Sequence, residues 1–167
     1  MPAVETDRDT SSTELPILAN NFNHDNISTA LVFFDLETAG LKLTCEVLQV
    51  AMKCESKMFN EYIRPNENIS LAASKVNGLT NEGHDLFLHG RSVPAKPLHV
   101  VANKLLQFLK NLGKPCVLIA HNCAFDAPRL MRLINHAGLV TEFTHVIDGF
   151  VDTLLFLGIS FPVKIAV

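Results

Sequence analysis

Ala30, Leu31, Val32, Phe33 and Phe34 stand together ahead of the first acid, and the run at 29–36 reads as a β-strand buried on both faces. A second strand is expected at 46–54 (EVLQVAMKC). In 57–64 (KMFNEYIR), Met58, Asn60 and Tyr62 alternate with Phe59, Glu61 and Ile63 until Pro65 ends the strand. The short links between the three predict an antiparallel meander. The segment 72–83 (AASKVNGLTNEG) reads as a short helix, an Asn77-Gly78 turn, and Thr80 as an N-cap with Glu82 in the next first turn. Its neighbour, 83–96, carries Gly83, Gly90, Pro94 and two histidines and reads as a loop.

From Pro97 the period changes. Leu98, Val101, Ala102, Leu105, Phe108, Leu109 and Leu112 recur at helical spacing, with Pro97 in the first turn and Gly113 as the stop. A short buried strand at 116–120 (CVLIA) precedes a second helix at 125–137, built on Phe125, Leu130, Leu133 and Ile134 and stopped by Gly138. The mixture of β-branched and aromatic residues at 144–156 predicts a fifth strand before Asp152. Meander, helix, strand, helix, strand is an α/β domain with a mixed five-stranded sheet. Residues 1–28 show neither period and read as a disordered tail, leaving 29–167 as the domain.

Length and composition narrow the class. The 167 residues suit one core, and 48% hydrophobic with 19% charged residues fits a globular protein. No apolar run approaches the ~20 residues of a membrane span, and no signal peptide is evident. Cys45, Cys54, Cys116 and Cys123 form no C-x-x-C pair, which points to a reducing compartment, the cytoplasm or nucleus, and away from a zinc site. A net charge of −3 argues against coating long duplexes, though not against gripping one strand end through metal ions.

The chemistry gathers at strand ends. Asp35 and Glu37 stand two apart at the carboxyl end of the first strand, so they project to one side, about 6 to 7 Å apart along it. Two carboxylates aimed at one point repel unless a cation lies between them, which makes the pair a candidate site for Mg²⁺ or Mn²⁺. The same acids also suit a solvated turn. Thr38-Ala39-Gly40 then turns the chain with small residues. His121-Asn122-Cys123-Ala124-Phe125-Asp126 comes after the 116–120 strand, and Asp126 either caps the next helix or reaches the ion held by Asp35 and Glu37.

FFDLETAGL, with AHNCAFD about ninety residues later, resembles the first two motifs of the DEDD, or DnaQ-like, 3′-to-5′ exonucleases, and VNGLTNE resembles their intervening turn and helix start. More narrowly, LVFFDLETAGL, ESKMFNEYIRP and NHAGLVTEFTHVIDGFVDTL are similar to the exonuclease-like domain at the C-terminus of long promyelocytic leukaemia protein isoforms and its fish relatives. The resemblance implies a ribonuclease-H-like three-layer fold and a two-ion site. Asp35 would bridge both Mg²⁺ or Mn²⁺ ions, Glu37 would ligate one, and Asp126 would help hold the other. It further implies a single-stranded nucleic-acid 3′ end as substrate and 5′-mononucleotides as products. Thr38, Ala39, Leu41 and Asn122 would border the terminal nucleotide.

The third motif of that family, His-x-x-x-x-Asp or a Tyr variant, is absent from these residues. This implies a domain truncated at its C-terminus, as a fragment or splice form, without the last helix and with weak activity or none. Asp148, Asp152 and His145 read as structural, and His24, His84, His89, His99 and His136 as surface residues. An uncovered sheet face would expose apolar side chains, Phe150, Phe156 or Phe161 among them, and invite a protein partner or self-association. The competing reading is a non-catalytic module for protein interaction or nucleic-acid binding. A small-molecule α/β enzyme is disfavoured because neither G-x-G-x-x-G nor a P-loop occurs.

Overall fold

The computed structural model describes residues 29–154; the expected tail and the residues after 154, including Phe156 and Phe161, lie outside the described residues. β1 (Ala30–Thr38), β2 (Val47–Cys54) and β3 (Lys57–Ile63) form the expected antiparallel meander. On the other flank of β1, β8 (Cys116–Ala120) runs parallel to it, and β9 (Ile147–Asp152) runs parallel to β8. A two-residue edge strand, β7 (Ala95–Lys96), adds to β3 and gives the order β7-β3-β2-β1-β8-β9. With its helices this is a mixed-sheet α/β domain, compatible with a ribonuclease-H-like fold.

One face of the sheet carries the core. Ala30, Val32, Phe34 and Leu36 of β1 pack there with Val101, Ala102, Leu105 and Leu109 of α2 (Leu98–Lys110) and with Leu130, Leu133 and Ile134 of α3 (Cys123–His136). Each fully buried aliphatic or Phe side chain contributes about 1.5–3 kcal/mol. The opposite face of β1 corrects the sequence reading. Leu31 and Phe33 are 48% and 56% exposed, so the strand alternates instead of being buried on both faces. An apolar side chain says that burial is favourable but not which element will supply it. Phe150 corrects another expectation, because it is buried edge-on against Phe34 at 6.0 Å between ring centroids.

The stretch read as a loop and helix start is a second sheet. β4 (Leu79–Glu82), β5 (Asp85–Leu88) and β6 (Arg91–Val93) pair antiparallel, with Thr80 opposite Phe87 and not at an N-cap. Gly83, His89 and Gly90 have φ of 57°, 48° and 75°, the left-handed backbone that two-residue hairpin turns require. The turn residues that suggested a loop are therefore hairpin corners. Leu79 and Leu86 bury with Ala39 and Leu48 in a small second core. α1 (Leu71–Asn77) precedes it, capped by the Ser70 hydroxyl, which accepts from the Ala73 N–H, and closed by Gly78 at φ 72°. α4 (Val140–Thr144), also unforeseen, is a single turn that buries Phe143. The four cysteines are unpaired, and no helix among the described residues is long and apolar enough to cross a membrane.

Candidate active site

Register places the acids. Phe33 of β1 lies level with Ile119 of the parallel β8, so both strands deliver their carboxyl ends to the same edge of the sheet. Asp35 and Glu37 continue the open face of β1, opposite Ala51 and Gln49 of β2. Beyond β8 the chain turns through His121 and Asn122, whose φ is 62°, directly into α3. Asp152 at the end of β9 stabilises this corner by accepting from the N–H groups of Asn122 (3.0 Å) and Leu154 (2.9 Å). These bonds hold the corner, and His145 turns back on the Thr141 carbonyl at 2.6 Å. Asp126 then sits in the first turn of α3, buried.

The result is a cavity of about 460 Å³ lined by Asp35, Glu37 and Asp126 together with Leu41, His121 and Asn122. Burial pushes the Asp126 carboxyl up to about 6; the Asp35 charge and, less, Glu37 act the same way, while Arg129 and the Leu36 amide oppose them. Burial also raises Asp35, against the Leu36 amide. Glu37 is raised by burial and then by the Asp35 charge, with the Asn77 side chain opposing. The ion pairs among the described residues, Lys96 and Lys104 with Glu61, lie elsewhere. The cavity thus gathers carboxylates that repel one another, an environment a divalent cation would relieve. As placed, no three His, Cys, Asp or Glu side chains among the described residues stand close enough to bind a metal ion together.

The expected nucleotide contacts divide. Leu41, 81% exposed, and Asn122 line the cavity. Thr38 borders it, but its hydroxyl donates to the Gly40 carbonyl at 2.9 Å, so its part is to hold the turn. Ala39 does not reach the cavity and belongs to the second core. Three further residues, Asn77, His121 and Arg129, gain their importance only from the fold. The Asn77 amide donates to the Thr38 carbonyl at 3.2 Å and accepts from the Leu79 N–H at 3.0 Å, tying α1 to the end of β1. An Asn before Gly in VNG reads as a turn residue, which hides this tertiary bond.

Arg129, one turn beyond Asp126, is 6% exposed. Its guanidinium lies 3.5 Å above the Phe125 ring and donates to the Phe125 carbonyl at 2.6 Å and to the Leu41 carbonyl. Arg132 donates to the Thr44 carbonyl at 2.7 Å. Two arginines three apart on α3 therefore hold the 41–45 loop beside the acids. The Arg129 Nε is buried without a hydrogen-bond partner among the described residues, a cost that a purely packing side chain would not carry.

No family model matches the chain. Among curated proteins it is similar to the PolC-type DNA polymerase III of Streptococcus sanguinis, at 30% identity over 157 residues, 89% of this chain and 9% of the polymerase. The PolC-type DNA polymerase III of Lactococcus lactis is 28% identical over 155 residues, covering 89% of this chain and 8% of the polymerase. That of Streptococcus pneumoniae is 32% identical over 121 residues, covering 67% and 7%. The chain spans less than a tenth of the length of these relatives.

Proposed function

We propose that this domain is a divalent-cation-dependent 3′-to-5′ exonuclease that removes 5′-mononucleotides from single-stranded 3′ ends, with Asp35, Glu37 and Asp126 holding Mg²⁺ or Mn²⁺. The observation that carries this reading is the convergence of these three carboxylates, from β1 and α3, on one cavity where each is pushed toward its protonated form. The similarity to DNA polymerases of the PolC type supports it, together with the paired motifs FFDLETAGL and AHNCAFD. The narrower kinship with the promyelocytic leukaemia protein domain, and a reducing cellular compartment, belong to the same proposal.

The residues fit the ions in kind, being hard oxygen donors carrying excess negative charge, although their placed side chains would have to close around them. When bound, two such ions neutralise phosphate charge and favour formation of hydroxide. The chain itself supplies the orientation. Leu41 and Asn122 border the place where a terminal nucleotide would lie, and Arg129 fixes the Leu41 carbonyl. Thr38 and Asn77 hold the end of β1 in position.

A second reading, a non-catalytic module that binds protein or nucleic acid, has its own observations. The three carboxylates are not gathered into a metal-binding group as placed, and Leu31, Phe33 and Met58 are exposed on the open sheet face where a partner or second copy would gain apolar contact. The deciding experiment is Mn²⁺-dependent release of mononucleotides from a 3′-labelled single strand by the wild type and by Asp35→Ala. Release abolished by the substitution supports the exonuclease. Folded protein with no release, or with equal release from both, supports the binding module.

A further inference from the structure

Carboxylates engaged in cation binding are poor proton acceptors for the attacking water. His121 lines the same cavity as Asp35, Glu37 and Asp126. The register locates it. Phe33 and Ile119 are the last residues paired across β1 and β8, and Asp35 and His121 each follow two positions later on their own segments. On the other flank Ala120 pairs with Asp152, the last residue of β9, and His121 and Thr153 each follow directly. The imidazole thus shares the cavity with the three carboxylates and lies against the Thr153 hydroxyl.

That hydroxyl bears on which imidazole nitrogen holds the proton. His121 Nδ1 lies 3.1 Å from Thr153 Oγ1, and Thr153 Oγ1 donates to the Ala120 carbonyl in a long 3.4 Å hydrogen bond. A hydroxyl whose hydrogen is directed at Ala120 offers Nδ1 a lone pair, which favours the tautomer with the proton on Nδ1. Nε2 is then left bare as an acceptor. A proton acceptor oriented through its other nitrogen by a third group is the arrangement that general-base catalysis requires.

We propose that His121 is the proton acceptor for hydrolysis at this site and that Thr153 is the positioning residue that fixes its tautomer; this rests on the exonuclease reading above. As the water oxygen bonds to phosphorus, Nε2 takes one of its protons and the bond from phosphorus to the 3′ oxygen of the penultimate nucleotide breaks. The departing oxygen takes a proton from solvent, and the imidazolium returns its own to solvent. The products are a 5′-mononucleotide and a shortened strand ending in a 3′-hydroxyl.

The tautomer is read without metal or substrate. In a long-range ¹H–¹⁵N spectrum of the labelled chain, the His121 signals, identified by their loss in His121→Asn, should report Nδ1–H and a bare Nε2. Thr153→Val should shift them toward the Nε2–H form. His121→Asn keeps a donor near Thr153 and removes Nε2. It should lower kcat by about 10²- to 10⁴-fold on a 3′-labelled strand with Mn²⁺. KM and the Mn²⁺ affinity should stay within about twofold of wild type. Imidazole added to His121→Gly should restore part of the rate. A wild-type Nε2–H tautomer, an undiminished kcat in His121→Asn, or a loss traced to Mn²⁺ affinity would each overturn the assignment. Absence of Asp35-dependent hydrolysis in the wild type would instead overturn the exonuclease reading and the role of His121 with it, whatever the tautomer.

Discussion

β1 has two faces with opposite tasks. Val32, Phe34 and Leu36 are sealed between sheet and helices, whereas Leu31, Phe33, Asp35 and Glu37 on the other side meet solvent, with Glu37 partly shielded. This asymmetry explains why the acids are placed as they are. The packed face fixes the backbone, and a fixed backbone lets two mutually repelling carboxylates line one cavity without either strand end moving away. Changes on the packed face should therefore be felt in stability, and changes on the open face in binding and chemistry.

The largest stability effect should come from the packed side. Leu118 is fully buried beside β1, and Leu118→Ala should cost about 2–5 kcal/mol in urea unfolding. A cost below that range would mean that the face is looser than its burial implies. Arg129→Met comes next and probes the joint between the two faces. Its charged hydrogen bonds to the Leu41 and Phe125 carbonyls are each worth roughly 1.5–3 kcal/mol, offset by relief from burying the guanidinium. The expected signature is faster amide exchange in the 41–45 loop with little change in global unfolding. Uniform change across the domain would contradict a local tether.

Asp126→Asn should act in the opposite sense. Its pKa is raised by burial to about 6, above the usual carboxylate value, so between that value and pH 6 the folded state holds more proton than the unfolded one. Folding stability from this group is therefore greatest at low pH and is lost as pH rises through 6. The asparagine variant should melt a few degrees higher than wild type at pH 8 and show no such advantage near pH 4. An advantage independent of pH would point to packing. The smallest effect belongs to Phe33→Ser, which should shift stability within about 0.5 kcal/mol because the ring is more than half exposed. A large loss would show that something covers this face in solution.

Most of the architecture is legible in the sequence where one signal dominates. The meander and the β8 strand follow from apolar runs and, at 57–64, alternation, both long helices follow from periodicity, and Asp35, Glu37 and Asp126 stand out as acids beyond strand ends. Legibility fails where a residue type has two uses. Gly83, His89 and Gly90 mark hairpin corners as readily as loops, and strands of two to four residues leave no period to detect. α4 begins after Leu139, an N-cap residue with no side-chain bond, so nothing announces it. In the site, Arg129 looks like a surface position on a helix and His121 like a turn residue. Only the tertiary partners Leu41 and Thr153, 88 and 32 positions away, give those side chains their roles.

Everything functional depends on whether the carboxylates of β1 and α3 act as one cation site. Calorimetric titration of Mn²⁺ into the wild type, Asp35→Asn and Asp126→Asn at pH 8 tests this without any substrate. A shared site requires that the wild type bind the ion and that each substitution weaken binding severely, although the two residues lie on different elements. Wild-type protein that takes up no Mn²⁺, or binding that survives either substitution unchanged, would contradict it.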